Sequence, residues 1–172
     1  MPMITPDYCR MMARYNAWQN KCVSQAMETL PEAELTRDRG AFFGSILATC
    51  NHLIWGDRMW MARFTDAVAR PAQSPREALT AHPTAADWYA ERYRLDGQIT
   101  LWADGLHTVD VTGPMTWHSG AAKADLTRPI GMLIVHMFNH QTHHRGQIHA
   151  MLTAAGARTQ DSDLFLMPGA GD

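Results

Sequence analysis

Four long stretches of the chain carry apolar side chains at three- and four-residue steps, and no other feature limits the fold as much. Between Ile4 and Leu30, the residues Tyr8, Met11, Met12, Tyr15, Trp18, Cys22 and Met27 fall on one face of an α-helix, which Pro31 closes. From Phe42 to Phe64 the pattern returns through Phe43, Ile46, Leu47, Cys50, Leu53, Ile54 and Met61. A third helix is predicted from the N-cap Thr84 through Trp88, Tyr89, Tyr93, Leu95, Ile99 and Trp102 to about Leu106, with Gly105 helping to end it. The last is predicted from near Pro129 to about Ala155, with Gly156 as its C-terminal signal.

The connections are polar. A charged loop, PEAELTRDRG, joins the first two helices, and Asp66 to Pro83, with Pro71, Pro75 and Pro83, is predicted to be a loop or short irregular piece. Between Val109 and His118 the sequence VDVTGPMTWH alternates around Gly113-Pro114, which predicts two short strands or an extended turn. The tail LFLMPGAGD is expected to add one short turn. Four apolar stripes without a sustained strand pattern predict an all-α chain: a four-helix bundle with a short extended, β-hairpin-like connection before the last helix. At 172 residues the chain is expected to be one domain, residues 1–172.

Charge narrows the partners. Fifteen Lys and Arg against seventeen Asp and Glu leave a formal charge of −2, with no basic footprint for nucleic acid and no polybasic patch for a membrane surface. No stretch reaches the roughly 20 apolar residues of a membrane helix, since Asn51, His52, Asp57 and Arg58 interrupt the best run. The start, MPMITPDYCRMMARYN, lacks the pattern of a secretory signal, and Cys9, Cys22 and Cys50 are too few and scattered for a disulfide framework. Buried thiols, a cytoplasmic location and a small-molecule partner are expected. Six Trp and twelve Met exceed what one small core is expected to hide, which points to a homodimer.

Five of the nine histidines crowd into GMLIVHMFNHQTHHRGQIHAML, residues 131–152. At about 100° per residue, His140 and His144 lie one turn apart and roughly 40° around the helix, so both imidazoles can reach one divalent ion. His136, one turn earlier, is their rival; His143 is a shoulder residue, and His149 points away. Two ligands from one helix require a third from elsewhere. The best candidate is His52, in CNHLIWGDRMW, which would otherwise have to be a neutral, hydrogen-bonded core histidine. Three histidines on two facing helices would leave coordination positions free for water or substrate.

The HExxH zinc peptidases carry a glutamate general base directly after the first histidine. Here Gln141 occupies that place, and an amide cannot take a proton from water. Ligating imidazoles need acceptors for their second nitrogens, which Asn139, Gln141 or backbone carbonyls are candidates to supply. Asp57 and Arg145 each follow a candidate ligand by five residues. They are predicted to form a buried ion pair bracing the two histidine-bearing helices. No catalytic residue can be assigned.

Three segments, YNAWQN at 15–20, LTRDRGAFFGSILATCNHLIWGDRMWMARF at 35–64 and HMFNHQTHHRGQIHAML at 136–152, resemble the DinB family of metalloenzymes, related to bacillithiol-transferase-like bundles. NHxxxHRGQ is the most specific piece. The resemblance implies a four-helix bundle, usually a homodimer, with zinc or nickel bound by His52, His140 and His144. His136 matches a common family histidine outside the ligand set. It further implies thiol S-transfer or thiol-dependent isomerisation, in which a metal stabilises the thiolate of a low-molecular-weight thiol. Metal-dependent hydrolysis is the second enzymatic expectation, and a non-catalytic metal-binding stress-response protein is the alternative outside enzymology.

Overall fold

The computed structural model describes residues 2–120 and 122–169. It is mostly helical, with long helices α1 (Pro6–Met27), α3 (Ile46–Phe64), α5 (Ala85–Asp104) and α6 (Ile130–Ala154) and short helices α2 (Glu32–Thr36) and α4 (Pro75–Ala78). A two-stranded antiparallel hairpin, β1 (Pro114–Ser119) and β2 (Ala124–Pro129), precedes α6.

Side-chain caps set the helix starts. Thr5, Ser45 and Thr84 accept hydrogen bonds from the backbone N–H groups of Tyr8, Ala48 and Asp87, relieving amides that the first turn leaves unpaired. Ser45 therefore starts α3 four residues later than its apolar pattern predicted. Phe43 is left in the preceding turn, where Gly44 has a φ of +80°. The loops expected at 31–40 and 66–83 each contain a short helix, α2 and α4. At the far end of α6, Gly156 (φ +82°) donates to the Thr153 carbonyl and Ala157 to that of Leu152, a Schellman closure that needs the left-handed conformation glycine adopts freely.

The expected hairpin exists, but shifted. Residues Thr108–Val111 form a 3₁₀ turn rather than a strand, and Gly113 (φ +94°) leads into β1 instead of turning between strands. The second strand is Ala124–Pro129, whose sequence ADLTRP has little alternation to reveal it. Cross-strand pairs Thr116 with Thr127 (2.8 Å) and His118 with Asp125 (2.9 Å) hold the register. The Ile130 amide donates to the Gly113 carbonyl and ties the hairpin base to the start of α6.

Helix α1 packs against α5 and α6, and α3 packs against the same two helices. Met27, Ile46, Leu95, Ile99, Ile134 and Phe138 fill the core between them. A polar chain also runs through this interior. Arg92 pairs with Asp57 at 2.6 Å and with Asp96 at 2.8 Å; Asp96 accepts from Asn16 and Asn20, and Arg145 donates to Asn16. All of these side chains are buried. The predicted direct Asp57–Arg145 pair is not formed. Arg92 of α5 takes Asp57, and Arg145 turns toward α1, so the two are linked only through Arg92, Asp96 and Asn16.

Candidate metal centre

Helix α3 supplies His52 and α6 supplies His140 and His144, and the structure brings all three together. Donor atoms from the three rings lie within 4.8 Å of one another. Nε2 of His52 is 3.1 Å from Nε2 of His140, and the His144 ring centre lies 4.5 Å from that of His140 and 4.7 Å from that of His52. With metal–nitrogen bonds of about 2.0–2.1 Å, two donors 3.1 Å apart would subtend about 95–100° at a shared ion. A simple hydrogen bond between two imidazoles would account for one pair and leave the third ring without a role. A shared cation accounts for all three.

Each ring has a local reason for its place. His144 Nδ1 lies 2.7 Å from Oε1 of Gln147, which fixes its proton there and turns the Nε2 lone pair toward the other histidines. His52 is stacked on Phe43 at 4.0 Å between ring centres, and Phe43 also lies 5.4 Å from the His144 ring. The His140 ring sits directly over Gly56, one helical turn after His52. A Cβ at position 56 would come within 2.8 Å of His140 Cε1.

Burial lowers the basicity of the cluster. It pushes the His52 pKa down to about 4 and that of His140 to about 3, with His144 adding to both shifts, and it lowers His144 as well. All three are therefore neutral near pH 7, the state in which an imidazole donates its lone pair to a metal. No Asp or Glu among the described residues joins the cluster. A divalent ion there would keep its full double charge and favour an anionic ligand at its remaining positions.

Most of the other candidates lie elsewhere. His136 packs on Trp60 at 5.0 Å between ring centres and stays outside the ligand cluster. Asn139 is exposed. Gln141 is buried, and its amide makes no hydrogen bond to a histidine of the cluster. The acceptor role considered for Asn139 and Gln141 falls, for His144, to Gln147. The three cysteines are buried free thiols. Burial raises Cys9 to about 11 and raises Cys22 and Cys50 too, which keeps them protonated.

Comparison with known proteins decides the kinship, because the model of the DinB family matches residues 3–169. The chain belongs to the DinB family. It is 25% identical over 169 residues to Protein DinB of Bacillus subtilis (strain 168), an alignment covering 93% of each chain. No solved structure gives a significant match. Family membership and the three-histidine cluster are together compatible with metal binding. In this DinB chain, Gly56, Gln147 and Phe43 are the site residues that sequence reasoning passed over. Two of them had a readable signal: a glycine inside a helix one turn from a candidate ligand, and a glutamine three residues after another.

Proposed function

We propose that the chain binds one divalent metal ion, zinc or nickel, through His52, His140 and His144, and that it is a metal-dependent enzyme acting on a low-molecular-weight thiol. One observation carries this reading: three neutral imidazoles from two helices converge on a point with no carboxylate among them. A divalent ion bound there supplies positive charge that stabilises a thiolate at neutral pH.

The residues of the chain provide the rest. Gln147 holds His144 in one tautomer, Phe43 covers the flat face of His52, and Gly56 seats His140. A thiol suits the site better than water does as the source of a nucleophile. Its intrinsic pKa of about 8.5 needs far less assistance than that of water, about 15.7, and no Asp or Glu among the described residues joins the histidine cluster to act as a base. The protein's own thiols are buried and protonated, so the reacting sulfur belongs to the substrate. The lack of a carboxylate base also favours a second reading, a non-catalytic metal-binding protein, over a hydrolase.

A metal-specific X-ray absorption scan of purified protein is expected to show one zinc or nickel per chain, absent from His140→Ala. Loaded protein incubated with an electrophile and a panel of biological thiols is expected to consume one thiol in a metal-dependent way. Stoichiometric metal without any such consumption removes the transferase reading and leaves the binding protein. Absence of metal from the wild type removes both. In this reading the four long helices form a four-helix bundle that works as a homodimer in the cytoplasm; light scattering is expected to give twice the 19.3 kDa chain mass.

A further inference from the structure

The arginine of the HRGQ segment takes no part in the histidine cluster, and its surroundings give it a different use. Arg145 is only 7% exposed, yet among the described residues no carboxylate forms an ion pair with it. Its Nη1 donates to Asn16 Oδ1, and the Tyr15 ring lies 5.5 Å from the guanidinium carbon. Through Asn16 it is also linked, at one remove, to the Asp96 carboxylate. That accounts for one of the two terminal nitrogens. A guanidinium presents five N–H donors in a fixed fork, and those of Arg145 that Asn16 does not take are left for solvent or for an acceptor that enters from outside the chain.

Arg145 lines a cavity of about 230 Å³ between α1, α6 and the C-terminal tail. Tyr15, Gln19, Thr142, Gly146, His149 and Ser162 share the lining, and among the described residues no Asp or Glu does. Tyr15 donates its hydroxyl hydrogen to the Ser162 carbonyl, which holds the tail across α1 beside the cavity. Gly146 provides an independent observation. It lies inside α6, where glycine is the least favourable residue after proline, and a Cβ there would meet no atom within 4 Å. Residue 146 is exposed, so the helix backbone there is open to whatever enters the cavity from solvent.

We propose that this cavity is a binding site for a small oxyanion, a carboxylate or a phosphate group, held by the unused edge of the Arg145 guanidinium. A carboxylate or phosphate offers the paired oxygens that match an arginine fork. The volume is below the range usual for drug-sized ligands, which limits the occupant to a free anion or a short acid. The site lies on a face of α6 turned about 100° from His144, and it does not depend on the metal reading.

The test uses the full chain and its His140→Ala variant, with sodium acetate and sodium phosphate as separate probes and sodium chloride at equal ionic strength as control. Binding is followed by the Arg145 Nε–H resonance and by calorimetry. A saturable shift of that resonance with one probe, equal in both proteins, is expected, and the responding probe identifies the class of anion. Gly146→Leu fills the cavity while leaving the Arg145 contacts in place. It is expected to weaken binding about tenfold or more without loss of helical circular dichroism. Arg145→Lys, which keeps the charge and loses the fork, is expected to weaken it as well. No saturable response to either anion, an equal response to chloride, undiminished binding by Gly146→Leu, or binding lost in His140→Ala would each overturn the proposal.

Discussion

The absence of one side chain at position 56 makes room for another at position 140. Because a Cβ there would press on the His140 ring at 2.8 Å, Gly56→Ala is expected to tilt that ring and reduce metal affinity about tenfold or more, as measured by competition with a chelator. The exchange should favour the helix itself, since alanine is the better helix former, so weakened metal binding in an otherwise stable variant is the signature to seek. The histidines also set a pH dependence. Their folded pKa values lie below the unfolded value of about 6.5, so the unfolded chain binds more protons in the window between them. The metal-free protein should therefore have full stability from this source above pH 6.5 and lose it as the pH falls toward 4 and then 3; a flat series of urea midpoints would contradict this. At this scale the sequence revealed the ligand-spaced pair, His140 and His144, because helical spacing is local. The partners of their second nitrogens were not legible, because hydrogen-bond choice depends on which rotamers the packed interior allows.

Caps and breakers decided where the helices begin and end. Thr84 and Gly156 act where local rules put them, since a side-chain oxygen at an N-cap and a left-handed glycine after a C-cap need only their immediate neighbours. Gly156→Ala, which forces a Cβ into a φ of +82°, is expected to cost about 1 kcal/mol in chemical denaturation without changing the α6 metal ligands. The second helix began later than predicted because Ser45 caps it, although Phe42 and Phe43 continue the apolar spacing. Periodicity alone does not distinguish a helical phenylalanine from one in a turn that covers a site. The hairpin was displaced for a related reason: β2 is almost entirely exposed and has no buried face to impose alternation on its sequence.

Across the molecule, the long helices are joined by apolar packing and by the buried chain from Asp57 to Arg145. Replacing Arg92 with methionine would leave Asp57 and Asp96 buried without their cation, and a loss of about 3–5 kcal/mol is expected from urea unfolding. A loss below about 1 kcal/mol would mean that the two carboxyls are carried in the protonated state instead. Of the six tryptophans, Trp88 is fully buried within the chain and the other five are partly buried. The exposed large apolar residues are others, Phe42, Tyr93, Leu101 and Phe165 among them. No helix among the described residues is long and apolar enough to cross a membrane.

The sequence by itself determined the helical character, the approximate extent of the four long helices and the two-histidine face of the last one. Each of these depends on spacing within a single segment, where backbone geometry fixes which side chains share a side. Only the tertiary structure decided that His52 meets that face, that Gly56 makes room for it and that Asp57 pairs with Arg92 rather than Arg145. Those outcomes depend on the rotation and depth at which separate helices pack, and these are set by the fit of all their side chains at once.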